Sequence, residues 1–250
     1  MRSFWIGLLL AGISLAEVRA QRNVNAEAPL QRGFSFAYGL THRGAGLSAQ
    51  YYLGAGDAQW LVALDAFHVK DLRETIIDPS PIFGQQGRRY IFGKLNNLYV
   101  ISPGIGWEKR LFPKGSGNTV EVSWGAKAGP ALGLLIPYLL EVYVPVGPGG
   151  SATTLVEPFD PGIHTFNRIV GKGNIFANGF SASMQLGLSL KSYLRLEMSH
   201  TPKFINGLLL TLNADLFPNE VPLLARADGA IENRRLYIAG GFGIAFGNRW

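Results

Sequence analysis

The chain has 250 residues, no cysteine, 32 glycines and 16% charged residues, with a formal net charge of +6 and a mean hydropathy of +0.13. The lack of cysteine excludes a disulfide framework and a lipoprotein anchor. Charged residues fall well below the roughly 25% of average soluble proteins, and no basic run is interleaved with aromatics, which argues for a membrane protein and against a nucleic-acid partner.

Residues 1–20 read as a cleavable secretory signal: Met1-Arg2 is basic, residues 4–15 are apolar, and Val18-Arg19-Ala20 makes a small-residue cleavage site. Residues 21–31 are polar and unpatterned, as in a short periplasmic tail, and residues 32–250 form one unit without a visible domain boundary. No later segment offers the roughly 18 uninterrupted apolar residues of a spanning helix. The closest approach, residues 132–146, is broken by Pro137, Glu141 and Pro145. A chain that enters lipid without helices must close a sheet.

Period-two alternation predicts strands at 34–40 and 47–53, joined through Arg43-Gly44-Ala45-Gly46 as a hairpin. A strand at 60–70 follows, in which Asp65 and His68 fall on opposite parities. Strands at 98–112 and 120–128 flank a Pro- and Gly-containing turn at 113–118, and 132–144 prolongs the second of them. Residues 180–190 alternate most cleanly, and after Lys191-Ser192, read as a turn, a further strand covers 194–199. Residues 207–217 are assigned to an outer loop.

In the final stretch, Leu236, Ile238, Phe242, Ile244, Phe246 and Trp250 share one parity, while Tyr237, Ala239, Gly241, Gly243, Ala245 and Gly247 share the other. A strand separates these sets into a large apolar face and a small-residue face, which suits a wall between lipid and a crowded lumen. The fold class is therefore all-β, an antiparallel transmembrane β-barrel, with eight strands preferred and ten as the alternative. The long connections 71–90 and 146–176 are rich in Pro and Gly, predicted irregular, and placed outside the cell. Phe246 and Trp250 are interface aromatics, and the terminal aromatic is the signal expected by the barrel-assembly machinery.

Lumen-parity polar residues are Gln50, Glu121, Lys127, Gln185, Lys191, Arg195 and Glu197, with Thr211, Asn213 and Asp215 beyond them. Because unpaired buried charges are costly, they are expected to pair across the interior and close it. The competing reading is a selective pore lined by Arg195, Glu197 and Lys127. Arg73, Arg88, Arg89 and Lys94 gather around the first long loop. They could grip lipopolysaccharide phosphates or a partner, since guanidinium forks match phosphate, or simply keep the loop in water. His42, His68, His164 and His200 have no metal-ligand spacing, and no cofactor motif is present. Ser199, His200 and Glu197 are the single catalytic candidate, but adjacent strand residues point to opposite faces, so the base cannot reach the hydroxyl without a bulge.

Gly-Lys-Leu-Asn-Asn at 93–97, Gly-Pro-Ala-Leu-Gly at 129–133 and Asn-Ala-Asp-Leu-Phe-Pro at 213–218 resemble the small outer-membrane β-barrel proteins of Bacteroidetes-type bacteria. The resemblance implies integral outer-membrane location and fold and carries over no catalytic residue; the chain departs from it by ending in Trp250 in place of Phe. Three functions follow as expectations. The first is a non-enzymatic barrel serving as a structural element, a narrow channel or a subunit of an envelope complex, with outer-membrane lipid, lipopolysaccharide and other envelope proteins as partners. The second is a barrel enzyme acting on acyl chains of lipid A or phospholipid. The third, a soluble lipocalin-type protein, is disfavoured because a water-facing sheet would carry charges on its outer parity.

Overall fold

The computed structural model describes residues 31–54, 56–79, 87–113, 120–146, 151–175, 177, 181–199, 201, 203–225 and 233–250. The proposed signal and all but the end of the tail lie outside the described residues. Thirteen strands run in chain order as β1 (Arg32–Thr41), β2 (Gly44–Leu53), β3 (Ala58–Val69), β4 (Ile76–Ile77), β5 (Tyr90–Ile91), β6 (Asn96–Phe112), β7 (Glu121–Pro137), β8 (Leu139–Val146), β9 (Ser151–Pro158), β10 (Ile169–Lys172), β11 (Ser183–Glu197), β12 (Phe204–Val221) and β13 (Arg234–Arg249). Eight of them close an antiparallel barrel in the order β1-β13-β12-β11-β7-β6-β3-β2. The fold is a closed eight-stranded antiparallel β-barrel, and among the described residues no helix is long and apolar enough to cross a membrane.

Alternation fixes the two faces. Along β1 exposed and buried residues alternate, with Phe34, Phe36, Tyr38 and Leu40 outside and Ser35 and Ala37 inside. On β13 Phe242, Ile244 and Phe246 face out, while Ala245 and Arg249 face in. A one-residue slip would invert every face, so this patterning sets the register. The two-residue turn His42-Arg43 is completed by Gly44, whose φ of 144° suits glycine and whose missing Cβ leaves room for the His68 carbonyl. Other glycines make space for rings inside the narrow lumen: Gly46 lies against Phe67 and Gly125 against Tyr193.

The wall corrects several expectations. Residues 183–197 form a single strand, and Lys191-Ser192 sits mid-strand: Lys191 points inward, while Ser192 accepts the Trp124 indole N–H at 2.9 Å on the other face. Residues 207–217, expected in a loop, belong to the barrel strand β12, paired with both β11 and β13. The total of eight therefore stands with a different membership. Neither long connection is irregular throughout. β4 and β5 pair within the first, and β8, β9 and β10 form a three-stranded sheet that continues beyond β7.

Both long connections leave the barrel end opposite the described chain termini, where the three-stranded sheet makes a cap. Its own apolar core comprises Tyr90, Tyr138, Leu140, Val142, Phe159 and Ile169. At the terminal end, Trp60 pairs in register with Trp107, whose ring meets Trp124 edge-on at 4.7 Å. Trp250 packs against Phe34 and Tyr51 at the same end. Aromatics of this amphipathic kind form the interfacial girdle of membrane barrels. One seam in the wall lacks pairing at mid-strand: Pro103 stands opposite Pro130 in constant register between β6 and β7, and neither has an N–H to donate.

Candidate functional site

The lumen is filled by three successive layers. Nearest the terminal end, acids and bases from four strands, β6, β7, β11 and β13, form one chain. Tyr193 Oη donates to Glu108 at 2.7 Å, and Glu108 accepts from Arg195, whose Nη1 also donates to Tyr52 Oη at 2.8 Å. Arg195 Nε lies 3.6 Å from Glu197, and Arg249 grips the same carboxylate with two bonds of 3.1 and 2.8 Å. Arg249 reaches Glu121 at 3.5 Å, and Glu121 meets Arg110 at 3.4 Å. Tyr52 continues the network to Gln50 at 2.6 Å and Ser35 at 3.0 Å. Inward parity on β2, β6, β7, β11 and β13 brings these groups together. Arg110, Arg195 and Arg249 balance Glu108, Glu121 and Glu197 in number, so the layer is formally neutral.

The second layer lies at mid-barrel. Asp65 on β3 receives Lys127 at 2.7 Å and Lys191 at 3.2 Å, one on each carboxylate oxygen. Lys127 also donates to Ser48 at 3.0 Å, Lys191 to Ser102 at 2.6 Å, and Ser189 to Asp215 at 2.6 Å. Two lysines and two aspartates again cancel. A cavity of ≈ 30 Å³ beside this layer is lined by Ser48, Gln50, Thr211 and Asn213 among others. That is room for about two waters.

The third layer is apolar: Val69, Leu98, Val100, Ala131, Leu135, Phe217 and Tyr237 pack together, with Phe67 against them. Val221, Leu223 and Leu224 complete this plug. Arg43 caps it, donating through Nε to the Ile238 carbonyl at 2.7 Å with its guanidinium carbon 5.9 Å from the Tyr237 ring centre.

Of the lumen residues proposed from sequence, Gln50, Glu121, Lys127, Lys191, Arg195 and Glu197 lie in the first two layers. Gln185 does not. It sits near the opposite rim, where its amide donates to the Asn219 carbonyl at 3.0 Å. Sequence reasoning missed Asp65, Glu108 and Arg249, which are as central as those it found. Their signal was inward parity next to Leu61 and Ala63, Gly106, and Gly247. His68 obscured it on β3, because it faces outward and stacks on Tyr99 with ring centres 4.9 Å apart.

The four cations of the first long loop do not converge. Arg73 binds Asp71 through two side-chain bonds of 2.9 Å, and these bonds hold the Asp71 carboxyl below its ordinary range. Arg89 pairs with Asp78 at 2.6 Å in the open, and Arg88 is exposed. Lys94 is buried and pairs with Glu74 at 2.8 Å; burial pushes its amine below the usual lysine range. Phe246 and Trp250 are exposed on the outer wall.

The Ser199 hydroxyl is surrounded by acceptors: Phe204 O at 2.5 Å, Thr201 O at 3.0 Å and Glu197 Oε1 at 3.2 Å. Those contacts hold the β11–β12 turn. His200 lies outside the described residues. Among the described residues no group of His, Asp and Glu could hold a metal ion.

The site is thus the interior of a closed barrel with an apolar outer wall, occupied by two ionic layers and an apolar plug. No protein-family model matches the chain, and no curated protein matches it significantly. Among solved structures it is similar to Neisserial surface protein A, with 11% identity, a TM-score of 0.38, and coverage of 88% of this chain and 96% of that one. It is also similar to Ail, the attachment invasion locus protein of Yersinia pestis, with 8% identity, a TM-score of 0.38, and coverage of 90% and 100%. Neither likeness points to Bacteroidetes-type bacteria.

Proposed function

We propose that this protein is an integral outer-membrane barrel of non-enzymatic role, sealed against solutes, that holds its folded cap at the cell surface. The observation that carries the reading is the filled lumen. Each ionic layer is neutral and internally paired, so it offers no selective charge to a permeating ion, and the apolar plug above it excludes water. Placement in the outer membrane is supported by the apolar outer face of a closed sheet, since closure leaves no free edge strand in lipid. The termini then lie in the periplasm and the cap outside, as short turns and long connections are distributed in such barrels.

Conductance decides between a sealed barrel and the narrow channel. Purified protein in planar bilayers should show no discrete current steps, whereas steps with ion selectivity would establish the channel. The acyl-hydrolase alternative is less well supported, because the one hydroxyl considered is engaged in a turn. Unchanged lipid A and phospholipid acylation in a Ser199→Ala strain is the expected outcome; acyl chains retained in that strain and lost in the wild type would establish the enzyme.

A further inference from the structure

Positive charge is concentrated on one sector of the cap-side rim, where β3 and β13 run past the short β1–β2 hairpin. Arg43, in that hairpin's turn, spans the gap: its Nε donates to the Ile238 carbonyl at 2.7 Å and its Nη1 to the Lys70 carbonyl at 3.5 Å. Asp71 follows Lys70 and is already held by Arg73 through two side-chain bonds of 2.9 Å. Arg234 starts β13 close enough that, after burial, it is what pushes the Arg43 guanidinium below its ordinary range. Three guanidiniums thus share one carboxylate.

A second group adjoins the first, because the Asp71 N–H donates to Glu74 Oε1 at 3.2 Å. Glu74 Oε2 takes Lys94 at 2.8 Å, and Lys94 and Lys172 lie 5.6 and 5.7 Å from the centre of the Tyr138 ring. Lys70 and Lys172 add their repulsion to the Lys94 charge. Among the described residues no carboxylate lies within ion-pair distance of Arg43, Lys70, Lys172 or Arg234. The β11–β12 sector of the same rim differs: residues 183–187 and 216–221 contain no Lys or Arg. Like charges gathered this closely repel unless an anion lies among them, and guanidinium forks match phosphate oxygens.

We propose that this sector binds the phosphate-bearing headgroup of an outer-leaflet lipid. Arg73 and Arg234 take phosphate oxygens in the first group, Lys70 and Lys172 in the second, and buried Arg43 backs them with its charge. A lipid fits better than soluble phosphate because the exposed cations end apolar columns. Arg234 shares the parity of Leu236 and Ile238, and Lys70 that of Val62 and Leu64, all exposed on the outer wall, so acyl chains below the headgroup meet them. The inference rests on the outer-membrane reading, which puts this rim at the outer leaflet.

Lipid retention tests it. The full-length protein is inserted into phosphatidylcholine vesicles doped with bisphosphorylated lipid A, or with the same lipid stripped of its phosphates. The vesicles are floated, dissolved in mild detergent, and the protein is weighed by native mass spectrometry. The phosphorylated lipid should stay bound and the stripped one be lost. Arg234→Gln with Lys172→Gln should weaken retention on the order of tenfold. Lys109→Gln with Lys203→Gln removes the same charge from exposed positions at the terminal end and should leave retention unchanged. Equal retention of the two lipids, or equal loss in the two double variants, overturns the site. Displacement of the lipid by millimolar inorganic phosphate overturns the lipid assignment in favour of a free anion. Protein that does not float with the vesicles overturns the membrane reading itself, whereas floating protein that retains no lipid A overturns the site alone.

Discussion

The two halves of the lumen solve the same filling problem by opposite means. Toward the chain termini, Glu108, Arg195, Glu197, Arg249, Glu121 and Arg110 fill it with alternating charge; toward the cap, Leu98, Val100, Leu135, Phe217 and Tyr237 fill it with apolar volume. The ionic half depends on pairing, since each buried charge is tolerable only while its partner is present. The apolar half depends on shape, and its members can be trimmed at the cost of a cavity. A chain of this kind ties four strands to one another, whereas the plug only has to be full.

Breaking the ionic half should have the largest effect. Arg195→Ala leaves Glu108 buried without its cation, while Glu197 keeps Arg249, and should cost about 3–5 kcal/mol. The readout is the urea midpoint of refolded protein, followed by the folded and unfolded bands on unboiled gels. A change near zero would mean that water reaches the carboxylates and the seal is not there. Leu98→Ala in the plug should cost less, about 2–3 kcal/mol, through lost burial and residual cavity. If it cost as much as Arg195→Ala, the proposed contrast between pairing and shape would not hold.

The smallest effect lies above the plug. Asp71 is held below its ordinary range by Arg73, so its contribution is complete above about pH 4, the unfolded carboxyl value, and is lost as pH falls through the lower folded value. Because Arg73 is partly exposed, the effect should be under about 1 kcal/mol. The protection factors of amides 70–75, taken relative to intrinsic exchange at each pH, should be lower at pH 3 than at pH 5 in the wild type. In Asp71→Asn that difference should be absent; its persistence would assign the acid response to another group.

Alternation made the faces of β1, β2 and β13 readable, because nearly every residue there obeys the two-sided rule. It failed where one residue served a second purpose. Lys191-Ser192 looked like a turn because two polar residues are adjacent, yet one serves the lumen ion layer and the other an outer tryptophan. Assigning residues 207–217 to a loop served only to keep the strand count at eight, although the inward parity of Asn213 and Asp215 already fitted a barrel strand. The cap strands were hidden by Pro137, Pro145 and Pro158, which lie at strand ends or in a sheet clear of the barrel. The cross-lumen partners were illegible for a further reason: parity says which side a group faces, while pairing depends on barrel stagger, which no single strand reveals.

Arg249 lies on β13, the strand that closes the barrel against β1, and it supplies the guanidinium for carboxylates on β7 and β11. Until β13 arrives, a partly assembled sheet keeps Glu121 and Glu197 short of a counter-charge. Closure of the wall and neutralisation of its interior thus depend on the same strand. Without Arg249 the layer would set Arg110 and Arg195 against Glu108, Glu121 and Glu197, one acid in excess, so the strand that closes the wall also completes its charge balance.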